Sequence, residues 1–131
     1  MQIAITLARV IMGLCFVIIG LNFWAHWFQF QQQGAAKRFL DAMEQSGYMH
    51  AVKVMEVSGG LLMLSGFNIP LALVLLGPIV ANIFLFHACL DRRGMPVAVM
   101  LVLIEGFLLF IHRKSFSGIF HELGNLVVGT A

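Results

Sequence analysis

Six polar side chains interrupt an otherwise apolar chain: Arg9, Asn22, Glu56, Asn82, His87 and Glu105. Each lies within or at the edge of a long hydrophobic stretch. A polar group in hydrocarbon is costly and persists where it has a partner or a task. Glu56, His87, Asn82 and Asn22 together would offer a carboxylate, an imidazole and two amides. Such a set could bind a polar headgroup, a quinone ring oxygen or a proton. Glu56 and His87 would then act as an acid–base pair. Zinc takes about three or four ligands, and only two strong ones are present at that depth, so no metal is expected. Arg9 and Glu105 carry opposite charges, and the expectation for them is a buried ion pair.

The elements that must position these groups are four apolar stretches, Ile3–Trp24, Val52–Gly66, Ile69–Leu90 and Met95–Ile111. Residues 69–90 contain no Asp, Glu, Lys or Arg. A helix rises ~1.5 Å per residue, so about 20 apolar residues cross a hydrocarbon core of ~30 Å. The fold class this implies is an all-α integral membrane protein, an antiparallel four-transmembrane-helix bundle. Of the 131 residues 60% are hydrophobic and 11% charged, whereas soluble domains carry about 25% charged residues. Mean hydropathy is +0.94. Four spans with short connections leave no room for a separate soluble or nucleotide-binding domain. A net charge of +2 is too small to imply nucleic-acid binding. The N-terminus lacks a basic region and a small-residue cleavage site, so it reads as a retained first helix.

Trp24 and Trp27 mark a membrane–water interface after the first stretch. Residues 35–46 place Phe39, Leu40 and Met43 on one side and Lys37, Arg38, Asp41 and Glu44 on the other, which predicts an interfacial amphipathic helix in the first loop. The second span is expected to begin near Tyr48 or His50, with Lys53 snorkelling to the surface. Residues 66–70 and 91–96 read as tight turns between antiparallel neighbours. Pro78 should kink the third span or free a carbonyl. The tail has a weak amphipathic stretch around Ile119–Leu126. Lys37, Arg38, Lys53, Arg92 and Arg93 oppose Arg113 and Lys114, which favours both termini outside.

Counting along the spans puts Arg9 about 9 Å and Glu105 about 10 Å from the side of the termini. Glu56, His87 and Asn22 lie within roughly 10 Å of the opposite side, and Asn82 about 12 Å from it. Gly59 and Gly60 suit close helix packing. Cys15 and Cys89 form no C-x-x-C and read as small core residues.

Leu7-Ala8-Arg9 with Gly13, Phe16 and Gly20 resembles the first helix of the DoxX family of small bacterial membrane proteins. Glu56-Val57-Ser58-Gly59-Gly60 with Leu64 and Gly66 resembles its second helix. Pro70-Leu71-Ala72, Pro78, Asn82 and Phe86-His87 resemble the third, and Glu105 the fourth. The resemblance covers about residues 3–115 and implies a multi-pass protein of the bacterial inner membrane. It divides the chain into a membrane domain, 1–115, and a short C-terminal tail, 116–131. The family takes its name from a thiosulfate:quinone oxidoreductase subunit, and other members are linked to thiol and oxidative-stress systems. The absence of C-x-x-C separates this chain from thiol–disulfide membrane enzymes. Three readings stand open. One is a redox-associated subunit that binds a quinone or similar molecule near Glu56, Asn82, His87 and Asn22. Another is a non-catalytic membrane partner that assembles with another protein through its helix faces and amphipathic loop; a redox-partner protein or a homo-oligomer is the protein partner expected. The third is a small-solute or proton pathway built as a homo-oligomer. Membrane lipid is the surrounding partner in all three.

Overall fold

The computed structural model describes residues 1–129; residues 130 and 131, the end of the expected tail, lie outside it. Among the described residues the chain is helical throughout and contains no strand. The helices are α1 (Gln2–Ala25), α2 (Gly34–Gln45), α3 (Tyr48–Ser65), α4 (Ile69–Cys89), α5 (Met95–Ile111) and α6 (Ser117–Val128). Single 3-10 turns at Arg92–Gly94 and Arg113–Phe116 precede α5 and α6. Three segments are long and apolar enough to cross a membrane: α1, α4, and α5 with its leading turn, Arg92–Ile111. The fourth long helix, α3, has 18 residues and carries Lys53 and Glu56. The first loop does contain a helix, α2, and the tail forms α6.

Local chemistry sets the boundaries. Gly47 and Gly66 flank α3 at φ 81° and 71°, left-handed values that cost a side chain energy and glycine little. Asn68 accepts from the Leu71 N–H at 3.2 Å and caps α4, with Pro70 in its first turn. Helix α4 runs on through Pro78 to Cys89.

Adjacent glycines let α3 pack closely on two sides. A Cβ on Gly60 would lie 2.9 Å from the Gly13 carbonyl oxygen and 3.0 Å from the Val17 nitrogen, both α1 backbone. A Cβ on Gly59 would lie 2.6 Å from the Leu76 side chain on α4. Gly13 faces Gly60 and Leu64, while Gly20 faces Val57 and Lys53, so α3 recedes as α1 advances. Helix α4 packs against α5, and α5 touches α1. Met12, Phe16, Met63, Leu73, Leu76, Leu101 and Leu108 fill the space between them. Helix α2 packs against α3 and sets the Phe39 ring 5.9 Å from Phe86 on α4.

Cys89 corrects the expectation of a core thiol. It is exposed, while Cys15 is half-buried. At the α4–α5 turn Asp91 accepts from Arg93 Nε at 2.9 Å and Nη2 at 3.2 Å. Arg93 also donates to the Gln31 carbonyl at 3.0 Å and so ties this turn to the loop after α1.

Two outcomes follow from this packing. Gly60→Ala forces a methyl against unyielding backbone and should lower stability by about 1–3 kcal/mol in detergent unfolding titrations. Gly106→Ala meets nothing within 4 Å and should leave stability nearly unchanged. The Arg93 hydrogen bond lowers the Asp91 carboxyl from 3.8 to about 2. A depressed value stabilises the fold above pH 3.8, and that contribution disappears as pH falls through about 2. Hydrogen exchange at residues 91–95, corrected for intrinsic rates, should show protection falling across that window. Asp91→Asn should remove the pH dependence.

Candidate functional site

Most of the six polar groups find their partner locally. The Asn22 amide closes the turn after α1, donating to the Phe28 carbonyl at 3.1 Å and accepting from its N–H at 2.7 Å. That turn passes through His26 at φ 54°, whose N–H bonds the Asn22 carbonyl. Glu56 is buried and paired with Lys53, 3.1 Å from Oε2 and 3.3 Å from Oε1. Lys53 is one turn away on the same helix, an i,i+3 pair. It does not snorkel outward as expected, because a buried carboxylate holds its ammonium inside. The His87 ring lies 2.8 Å from the Asp91 carbonyl, so Nδ1 carries the hydrogen and donates. Gly94 packs directly on the imidazole, where any side chain would collide with it. Asn82 donates from Nδ2 to the Pro78 carbonyl at 3.0 Å and is exposed.

Glu56, Asn82, His87 and Asn22 are therefore not brought together in one pocket. Each is held by a group within six residues along the chain, and no contact joins Glu56 to His87. The expected proton-sharing pair is not formed.

Nor is the expected ion pair of Arg9 with Glu105. Arg9 donates from Nε to the Met63 carbonyl at 3.2 Å and approaches the Leu64 carbonyl with Nη2 at 3.5 Å. These belong to the last turn of α3, whose carbonyls lack helical donors and sit at the negative end of the helix dipole. Gly66 makes this approach possible, because a Cβ there would lie 2.6 Å from Nη2. The free carbonyls of this helix end compete successfully for the guanidinium.

Glu105 is left with nothing. Its residue is 6% exposed, and neither carboxylate oxygen has a hydrogen-bond partner among the described residues. It lines a groove of about 500 Å³ between α4 and α5. Gly77, Phe84 and Leu85 form one wall, and Val102, Gly106 and Leu109 the other. Oε1 lies 3.2 Å from where a Gly77 Cβ would be, and beside Gly106 there is open space. Glu105 supplies the only ionisable group in this lining. Phe84, Leu85, Val102 and Leu109 are all partly exposed, so the groove opens sideways, toward lipid. A second cleft, of about 410 Å³, lies between residues 30–33 and α2 and contains none of the six. Sequence reasoning named Glu105 but missed its glycine neighbours. The available signal was the Glu105-Gly106 step, where an acid adjoins a residue with no side chain.

The model of the DoxX family matches residues 4–88, from the start of α1 almost to the end of α4. No curated protein and no solved structure gives a match.

Because Arg9 and Glu105 share no partner, their Ala variants should be additive within about 0.5 kcal/mol in a double-mutant cycle on unfolding free energy. A coupling above about 1 kcal/mol would restore the ion pair.

Proposed function

Since the chain belongs to the DoxX family, we propose that it is a redox-associated subunit of the bacterial inner membrane that takes a quinone-type molecule from the lipid into the α4–α5 groove. Helices α1, α3, α4 and α5 are the four spans of an antiparallel bundle making up residues 1–115. Helix α2 lies in the interface, both termini face outside, and residues 116–131 form an appended tail. The short connections and the face-to-face glycines support this arrangement. α3 spans despite Lys53 and Glu56 because the two neutralise each other inside the bundle.

One observation carries the binding reading: a buried carboxyl without a hydrogen-bond partner opens into an almost wholly apolar groove. Ligand sites have this composition, apolar walls with few polar groups that fix orientation. A flat ring with one or two oxygens matches it. A protonated Glu105 donates to a ring carbonyl, and an ionised one accepts from a ring hydroxyl. The open space at Gly106 admits the ring edge, and the sideways opening admits a hydrophobic tail. The ligand reading thus moves from Glu56, Asn82 and His87, which are locally engaged, to Glu105.

Purification in native lipids followed by mass spectrometry should recover a quinone, and a short-chain quinone analogue should bind the reconstituted protein. Glu105→Leu should weaken that binding about tenfold, the worth of one good hydrogen bond. The same substitution should raise fold stability by about 1–2 kcal/mol, because it removes a buried unsatisfied polar group. Gly106→Leu should fill the groove and abolish binding while the protein stays folded. Retention of the analogue by both variants would defeat the groove reading, and a Glu105→Leu protein that unfolds would make Glu105 structural.

A further inference from the structure

The outward face of α4 presents Leu71, Val74, Pro78, Asn82, Leu85 and Cys89, all exposed. Their spacing of three and four residues aligns them in one stripe along the helix. Apolar members of such a stripe are at home against lipid. Asn82 is not. Only its Nδ2 is engaged, to Pro78 one turn back, and its Oδ1 accepts from nothing among the described residues. Leu90 lies eight positions further along, so Asn82 is about 12 Å below that end of the span. Lysine or arginine at this depth can snorkel to the headgroups. Asparagine, with a single methylene, cannot.

We propose that a second copy of this chain docks on this stripe, with the two Asn82 amides hydrogen-bonded to each other across a two-fold axis along the membrane normal. The amide is self-complementary: each copy offers one free N–H and one free carbonyl oxygen. A two-fold axis places the same residue of both copies at the same depth, so two N–H···O bonds form without any other polar group. The stripe carries no charge that would select a different partner. Gly77 and Phe84 of the α4–α5 groove lie on the side of α4 away from Asn82, while Leu85 belongs to both the stripe and the groove rim.

The same axis brings the two Cys89 thiols near one another at the membrane surface, which provides a readout. The full-length Cys15→Ser protein is reconstituted in vesicles of bacterial polar lipid at high dilution. It is treated with a short bifunctional maleimide, and single-molecule photobleaching counts copies. Cross-linked dimers and two-step bleaching are expected. Asn82→Leu, on an exposed position that leaves the core intact, should lower the association constant about tenfold, and Asn82→Gln should largely restore it. A thiol on the lipid-facing side of α5, Leu103→Cys in a Cys15→Ser/Cys89→Ser background, should not cross-link. Monomers at every dilution, equal cross-linking through residues 89 and 103, or unchanged association in Asn82→Leu would each overturn the proposal. The first of these would leave the stripe to lipid or to an unrelated protein.

Discussion

In hydrocarbon a polar group cannot fall back on water, and the architecture of this chain follows from where each such group finds a substitute. Asn22 folds the chain after α1 by bonding Phe28 twice. Lys53 and Glu56 neutralise each other one turn apart. His87 fastens the end of α4 to the following turn through the Asp91 carbonyl. Arg9 satisfies the end of a different helix. In each case the polar group shapes a turn, a helix end or a helix pair, so satisfying polarity and building the bundle are the same act.

Close packing supplies the cohesion. Lipid tails are as apolar as leucine, so apolar side chains gain little by leaving them, and helices associate through contact and small residues. Helix α3 uses consecutive glycines for this purpose, Gly60 toward α1 and Gly59 toward α4. Adjacent residues on a helix point about 100° apart, so the pair serves two neighbours at once. The result is one helix that determines the placement of two others, and with them the wall that carries Gly77 opposite Glu105.

Much of this was legible before the structure. Helix positions followed from apolar run lengths, and the start of α3 at Tyr48, the helix within the first loop and the packing role of Gly59 and Gly60 all emerged as expected. The partners of the polar groups did not. Matched depth suggested Arg9 with Glu105, but depth along a helix says nothing about rotation around it, nor about where a neighbouring helix stops. The end of α3 at Ser65 is what attracts Arg9. Lys53 beside Glu56 was visible as an i,i+3 pair, yet the habit of lysine to reach for water argued the other way. The groove was invisible because it is made of absent side chains, Gly77 and Gly106, brought together from two helices.

The two helices packed through Gly13 and Gly60 differ in length, 24 residues against 18. At ~1.5 Å per residue the difference is about 9 Å. Arg9 marks the level at which α3 stops, and the first two turns of α1 stand above it, with Met1 and Ile3 largely bare. The protein thus presents the bilayer with a wall of uneven height. Where neighbouring apolar helices end at different levels, a bilayer relieves the mismatch by local thinning and by headgroups dipping toward the shorter one. The step between α1 and α3 is a notch with Arg9 at its foot, and a bilayer surrounding both helices would feel its own thickness there.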